Sequence, residues 1–169
     1  MDPADRLRLA DLLDLQEGRG PVPLLDDAGI AAVLRDARRI AIVGASPDPS
    51  RPSHDVLRYL LRAGYECVPI RPGAGEILGI PAFETLAQAV DATGPVDIVD
   101  VFRRPEACPT HAAEAVAVGA RCLWLQLGVV SWDTARIAAA GGLSVVMDRC
   151  TAIEHRRLGG RPTVNDLTT

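Results

Sequence analysis

The chain has 169 residues, of which 48% are apolar and 24% are charged, and its formal net charge is −4. This composition is typical of one globular domain with a substantial core, and no apolar run approaches the roughly 20 residues of a membrane-spanning helix. All 18 basic residues are arginine, which excludes a P-loop lysine, a Schiff-base lysine and a lysine general base. The net negative charge argues against nucleic-acid binding, which normally uses a basic face.

The N-terminus and the cysteines predict a cytoplasmic protein. The opening segment MDPADRLRLADLLD places acids among its apolar residues and lacks the apolar h-region of a signal peptide. The four cysteines form no C-x-x-C pair: they are Cys67, Cys108, Cys122 and Cys150. We interpret them as free structural thiols in a reducing compartment, and the three widely separated histidines predict no metal cluster.

The first two predicted elements are helices, which together form an N-terminal helical extension over residues 1–37. The first helix occupies the first 20 residues and carries an apolar stripe: Leu7, Leu9, Leu12, Leu13 and Leu15. The second runs from about 26 to 38, with Asp26 or Asp27 as its N-cap. Its inward residues are Ile30, Val33, Leu34 and Ala37.

From residue 40 the pattern changes to an alternation of strands and helices. The predicted strands are 40–44, 66–70, 96–102, 121–128 and 143–148, with a short segment at 80–83. The predicted helices are 53–64, 85–91, 105–120 and 131–140, followed by a short helix in TAIEHRRL that packs back onto the sheet. Ser53 is the predicted N-cap of the first of these, and the alternating acids of VDIVDVF indicate a strand with polar edges.

This alternation predicts right-handed βαβ units and a parallel sheet. The fold class is therefore α/β, a three-layer Rossmann-like domain of about five parallel strands over residues 38–158. Residues 159–169 are predicted to be disordered.

The segment GASPDPSRPSH, residues 44–54, indicates a phosphate site. Ligands of such sheets bind beyond the carboxyl ends of the strands. Gly44 permits a close approach of the backbone, the following helix offers N–H groups, and Arg51 adds positive charge. The hydroxyls of Ser46 and Ser53 can donate to phosphate oxygens. The same junction also occurs where only packing requires it.

Three further arginines follow strands at the same edge. An NAD-binding domain places an acid after the second strand to bind the ribose hydroxyls. This chain has Arg71 there, which favours a ligand with an extra ribose phosphate, and Arg103 with Arg104 follows the strand 96–102. The alternative is that these arginines are ordinary solvated surface residues.

Catalytic motifs are not evident in the sequence. GASPD is not a nucleophile elbow, because the residue after the serine must donate an N–H and Pro47 has none. His54 falls in the first turn of a helix, where the dipole disfavours a protonated ring. Whether the protein is an enzyme is left open, with no chemistry of its own as the favoured interpretation.

Five segments in order resemble the small bacterial CoA-binding proteins. They are VGASPDPSRPSH, VPIRPGAGEILG, VDIVDVFRRPE, LWLQLGVV and VVMDRCTAIEHRRL. That family is similar to the CoA-binding domain of the succinyl-CoA synthetase α subunit, and the resemblance covers residues 38–158. It implies a Rossmann-like fold whose glycine turn and following helix hold the pyrophosphate of coenzyme A.

The resemblance also implies a set of ligand-binding residues. The phosphate loop would comprise Gly44, Ala45, Ser46, Arg51, Pro52, Ser53 and His54. Arg71 and Pro72 would lie by the adenosine, where family members commonly have Asn-Pro. The remaining edge would be formed by Phe102, Arg103, Arg104 and Gln126. The synthetase's phosphohistidine loop and ATP-binding domain have no counterpart, so its ligase reaction is not implied, and MDRC at 147–150 has no assigned role.

Three hypotheses remain open at this point. The leading one is a stand-alone protein that binds coenzyme A or an acyl-CoA, with no nucleic-acid or membrane partner. The second is an NADP-dependent oxidoreductase, because Arg71 could meet a 2′-phosphate. The third is a regulatory or interaction module that keeps the fold without the ligand. Homo-oligomers are compatible with each of them.

Overall fold

The computed structural model describes residues 1–159, and the predicted disordered tail, residues 159–169, lies outside them except for Gly159. The strands are β1 (Arg39–Val43), β2 (Glu66–Ile70), β3 (Glu76–Ile77), β4 (Ile80–Pro81), β5 (Ile98–Val101), β6 (Cys122–Leu125) and β7 (Ser144–Val146). The helices are α1 (Pro3–Gln16), α2 (Asp27–Asp36), α3 (Pro52–Arg62), α4 (Leu86–Thr93), α5 (Cys108–Ala117), α6 (Trp132–Ala140) and α7 (Thr151–Leu158). A 3₁₀ turn (Pro105–Ala107) precedes α5.

Five strands form one parallel sheet in the order β2-β1-β5-β6-β7, while β3 and β4 pair as a separate small hairpin. The chain runs from β1 outward to β2 and then returns to the other side of β1 to form β5. Strand order therefore reverses between β1 and β5, which is where ligands bind in open α/β sheets. The predicted α/β, Rossmann-like class is confirmed.

Helices cover both faces of the sheet and produce three layers. One apolar cluster joins the sheet to α4, α5 and α6. The other joins it to α2, α3 and α7 through residues such as Ile30, Leu57 and Ala152. Alternate residues of each strand enter opposite clusters, as the two-residue repeat of a strand requires.

The two N-terminal helices differ in how they pack. In α2, the Asp26 side chain caps the helix at the Gly29 N–H, as predicted, and Ile30 and Leu34 are fully buried. In α1 no residue is buried; the leucines of its stripe before Leu15 are exposed. α2 packs into the core of the sheet domain through Ile30 and Leu34. The division of the chain at residue 37 stays a prediction.

The predicted N-cap of α3 is wrong. Arg51 occupies the cap position without a capping side-chain hydrogen bond, Pro52 is the first helical residue, and Ser53 is a buried residue inside the first turn. Proline suits this first position because its missing N–H would have had no intrahelical partner. The helix therefore begins before the serine.

The predicted polar edges of the strand at 96–102 are also partly wrong. Asp100 lies between Ile42 of β1 and Trp124 of β6 in the register of the sheet and is 0% exposed. The Asp100 carboxyl group is enclosed between neighbouring strands because β5 is the middle strand of the five.

The cysteines are free thiols, as predicted. Cys67, Cys108 and Cys122 are buried, while Cys150 is half-buried. Burial raises the pKa of the Cys67 thiol to about 12 and that of Cys108 to about 11. Within residues 1–159, no helix has the length and apolar character needed to cross a membrane.

Gly44 directly follows the last residue of β1, and the backbone turns sharply there beside the end of β5. Its φ is +82°, and a Cβ atom built on it would lie 2.5 Å from the carbonyl oxygen of Phe102. The Phe102 N–H donates to the Val43 carbonyl at 2.8 Å, which holds the two strand ends together. Only glycine satisfies both the positive φ and this close approach.

We predict that Gly44→Ala lowers the free energy of unfolding by about 3 kcal/mol, because positive φ and a backbone clash add together. Gly119→Ala is the matched control: Gly119 has φ +74°, but nothing lies within 4 Å of its added Cβ. The control should lose only about 1 kcal/mol. Urea unfolding of both variants measures the difference, and equal losses would refute the steric argument.

Candidate functional site

A cavity of about 720 Å³ opens at the carboxyl ends of β1, β5 and β6. Its floor continues these strands with Gly44, Phe102 and Gln126. The first residues of α3 and the N-terminal part of α7 supply further lining side chains, among them Ser53 and Ile153. The cavity thus occupies the crevice created where strand order reverses, and its volume is typical of a small-molecule site.

The loop between β1 and α3 is held in one conformation by Asp48. The Asp48 N–H donates to the Ser46 hydroxyl at 3.1 Å, and its carboxylate accepts from the Ser50 N–H at 2.9 Å and the Ser50 hydroxyl at 2.8 Å. The Arg51 N–H donates to the Asp48 carbonyl at 3.1 Å. The hydrogen bonds from Ser50 lower the pKa of the Asp48 carboxyl. These hydrogen bonds within the loop favour one conformation.

Three arginines line the cavity, and no carboxylate among residues 1–159 does. They are Arg51, Arg103 and Arg104, all exposed. In the described part of the chain, none of the three has a carboxylate within 4.0 Å. The Arg103 side chain passes over Gly44, since its Cδ lies 3.1 Å from where a Cβ would be on that glycine. A chain with net charge −4 thus has a cationic cavity.

The structure gathers most of the predicted site residues at this cavity. The lining includes Gly44, Ser46, Arg51, Pro52, Ser53, Phe102, Arg103, Arg104 and Gln126. It does not include Ala45, His54, Arg71 or Pro72. The His54 side chain is buried, with its Nδ1 3.4 Å from the Arg58 guanidinium. Arg71 follows β2, and its N–H donates to the Phe83 carbonyl at 2.9 Å.

The sequence reasoning missed the apolar wall of the cavity. Leu127 and Ile153 line it and are 64% and 48% exposed, while Val56, Val129 and Cys150 complete the wall. The QLGVV and MDRC segments contained part of this signal. No local sequence pattern predicts that α7 lines the cavity, because Ile153 lies far along the chain from β5.

Behind the cavity lies a buried polar network that the sequence reasoning also missed. The Nε2 of Gln126 donates to Asp100 Oδ1 at 2.7 Å and to the Thr151 Oγ1 at 3.1 Å. The Thr151 hydroxyl donates to Asp100 Oδ2 at 2.9 Å. Asp100 and Thr151 are fully buried, and Gln126 is 4% exposed.

Burial raises the pKa of Asp100 to about 7. Desolvation of the carboxylate is the main cause, and the hydrogen bonds from Gln126 and Thr151 partly oppose it. Asp100 is thus a buried acid that changes charge near neutral pH, directly behind a cavity-lining side chain. Within residues 1–159, no group of three or more histidine, cysteine or acidic side chains is arranged to hold a metal ion.

Comparison with known proteins gives a family. A family model described as "CoA binding domain" matches residues 38–156. The uncharacterized protein YneT of Bacillus subtilis is 39% identical over 128 residues, which cover 76% of this chain and 93% of YneT.

Solved structures share the fold. A protein from Thermus thermophilus is 40% identical, with a TM-score of 0.73, covering 79% of this chain and 99% of its own. A hypothetical protein from Pyrococcus horikoshii is 33% identical, with a TM-score of 0.75, covering 80% of this chain and 94% of its own.

We predict that Asp100→Asn removes a pH-dependent loss of stability. The folded pKa of about 7 lies above the ordinary value of 3.8, so between these values the native state holds a proton that the unfolded state has released. Wild-type stability should therefore fall, relative to the variant, as pH rises from 4 to 7, by on the order of 3 kcal/mol. The difference should level off above about pH 8, where the carboxyl is ionised in both the folded and the unfolded state.

Urea unfolding at several pH values measures this difference. Asp133→Asn is the control, because the Asp133 side chain is 68% exposed on α6. Its profile should run parallel to that of the wild type. A parallel profile for Asp100→Asn would show that the buried acid does not titrate in this range.

Proposed function

This chain belongs to the CoA binding domain family, and we propose that it is a stand-alone protein that binds coenzyme A or an acyl-CoA in the cavity described above. One observation carries the proposal: three arginines that have no carboxylate partner within residues 1–159 line the cavity beside the glycine–serine loop at the start of α3. This arrangement is suited to a ligand with several phosphate oxygens.

The phosphate groups of coenzyme A match the cationic side of the cavity. The ligand carries a pyrophosphate and a 3′-phosphate, the latter adding about −1.5 to −2 charge near neutral pH. We place the pyrophosphate at the loop, against Gly44 and Ser46 and the first turn of α3 with Pro52 and Ser53, and not against Ala45 or His54, which do not line the cavity. Arg51, Arg103 and Arg104 supply the positive charge beside it.

The pantetheine arm of coenzyme A matches the apolar wall. Phe102 and the exposed Leu127 and Ile153 offer apolar contact along the cavity. Large apolar side chains exposed together beside polar groups mark a binding surface more often than a solvated one. We place the arm along this wall, with Gln126 beneath it.

The adenosine end is assigned to the loop after β2, with Arg71 and Pro72 as its contacts. This placement follows the family resemblance, and β2 is the strand next to β1 on the side away from β5. A nucleotide with a 2′-phosphate could use the same arginine, so NADPH is the competing ligand in the experiments below.

We predict that Arg103→Ala weakens the binding of coenzyme A about tenfold, because a charge-assisted contact with a phosphate oxygen is lost. Arg136→Ala is the control: its guanidinium pairs with Asp133 at 2.5 Å on α6, which covers the opposite face of the sheet. Calorimetric titration in low-salt buffer measures both affinities. No binding of coenzyme A by the wild type, or tighter binding of NADPH, would refute the proposal.

We predict that Arg71→Ala lowers the affinity for coenzyme A to that for dephospho-CoA and leaves dephospho-CoA binding unchanged. The reason is that Arg71 would contact only the 3′-phosphate, which dephospho-CoA lacks. Titration of the wild type and the variant with both ligands provides the test. Unchanged binding of both ligands would move the adenosine away from β2 while leaving the phosphate loop in place.

A further inference from the structure

We propose that Asp100 and Thr151 fix the orientation of the Gln126 amide so that its oxygen accepts a hydrogen bond from an amide N–H of the pantetheine arm. Asp100 and Thr151 would be positioning residues, and Gln126 would select for the arm rather than for the nucleotide. This inference rests on the proposed function, because it names a contact of the same ligand in the same cavity.

The orientation of the amide follows from the hydrogen-bond inventory. A glutamine side chain has two N–H donors on Nε2 and an acceptor on Oε1. Both donors are used, one on Asp100 at 2.7 Å and one on Thr151 at 3.1 Å. An ionised carboxylate only accepts hydrogen bonds, so it cannot bind Oε1. Charged Asp100 therefore requires the observed orientation.

The amide oxygen faces the cavity. Gln126 is a lining residue, and among the described residues no group donates to its Oε1. Within residues 1–159, every fully buried side-chain nitrogen or oxygen has a hydrogen-bond partner. The Gln126 oxygen is therefore not fully buried, and the cavity is the side from which it is reached. An acceptor in such a place favours a ligand that brings a donor.

The pantetheine arm is the part of the ligand that brings a donor to this point. The glycine loop follows β1 and Gln126 follows β6, with β5 between them. Two strand spacings separate these positions by about 10 Å. From a pyrophosphate at the loop, the arm is the segment that extends toward β6. Its polar donors are the pantoyl hydroxyl, which lies close to the pyrophosphate, and two amide N–H groups further along. The side chains of Leu127, Val129 and Ile153 in this wall accept no hydrogen bond.

The titration of Asp100 gives this arrangement a pH dependence. A protonated carboxyl can donate, so the amide can reverse and present Nε2 to the cavity. Other titratable groups on this face are Cys67, Cys122, His54, Glu154 and His155. The histidines are held by Arg58 and Tyr59, and Glu154 by Arg149 and Arg157. Asp100 is the acid in direct contact with Gln126.

The first test compares two ligands on Gln126→Met, which keeps the length of the side chain and removes the amide. Coenzyme A should bind about tenfold more weakly than to the wild type. Adenosine 3′,5′-bisphosphate, which lacks the arm, should bind equally to both proteins. Equal weakening of both ligands, or unchanged binding of coenzyme A, would overturn the inference. Failure of the wild type to bind coenzyme A would instead refute the proposed function.

The second test measures the ratio of the two affinities between pH 5.5 and 7.5. In the wild type, the association constant for coenzyme A divided by that for adenosine 3′,5′-bisphosphate should rise severalfold with pH, since Asp100 has a pKa of about 7. In Asp100→Asn this rise of the ratio with pH should be missing, because the amide at position 100 does not ionise. Identical profiles for the two proteins would overturn the positioning role.

A double-mutant comparison separates positioning from a general structural role. If Asp100 acts through Gln126, Asp100→Asn should not weaken coenzyme A binding further in the Gln126→Met background. Thr151→Val provides the same comparison if Asp100→Asn does not fold, because it leaves one Nε2 hydrogen of Gln126 without its acceptor. As a single variant, Thr151→Val should lower the affinity for coenzyme A severalfold. Additive losses in the double variants would show that these residues do not act through Gln126.

Discussion

The close contact between the ends of β1 and β5 governs the rest of this structure. At Gly44 the chain turns with positive φ directly against the Phe102 carbonyl, and the Phe102 N–H is bound to Val43. The two strands stay paired to their last residues, yet the chains that leave them go on to different elements, α3 and the 3₁₀ turn. A crevice results between the departing chains, and the cavity occupies it.

The buried network of Asp100, Gln126 and Thr151 adds polar groups to a sheet that is otherwise apolar at its centre. Burying a carboxylate is costly even when it is hydrogen bonded, and a well-packed apolar set often gives equal or greater stability. Violations of local rules tend to occur at functional sites. The network lies directly behind the cavity floor, where we propose that it serves ligand recognition.

The distribution of charge differs sharply between the molecule and the site. The chain is acidic overall, but three arginines converge on the cavity and the acids pair elsewhere, as Glu154 and Asp27 do with Arg157. A local cluster of cations with apolar walls concentrates its field on the space between them. Net charge therefore says little about the sign of the ligand, and the arrangement of strand ends says more.

The sequence by itself determined the main helices and strands, their order and the glycine turn after β1, because hydrophobic periodicity and glycine turns act over a few residues. Only the tertiary structure decided which side chains share the cavity. Arg71 follows β2, on the far side of β1, and does not line the cavity. Ile153 belongs to α7 and lines the cavity. The burial of Asp100 likewise depends on β5 being the central strand. Strand order and helix packing depend on contacts between residues far apart in the chain, and no local sequence pattern encodes them.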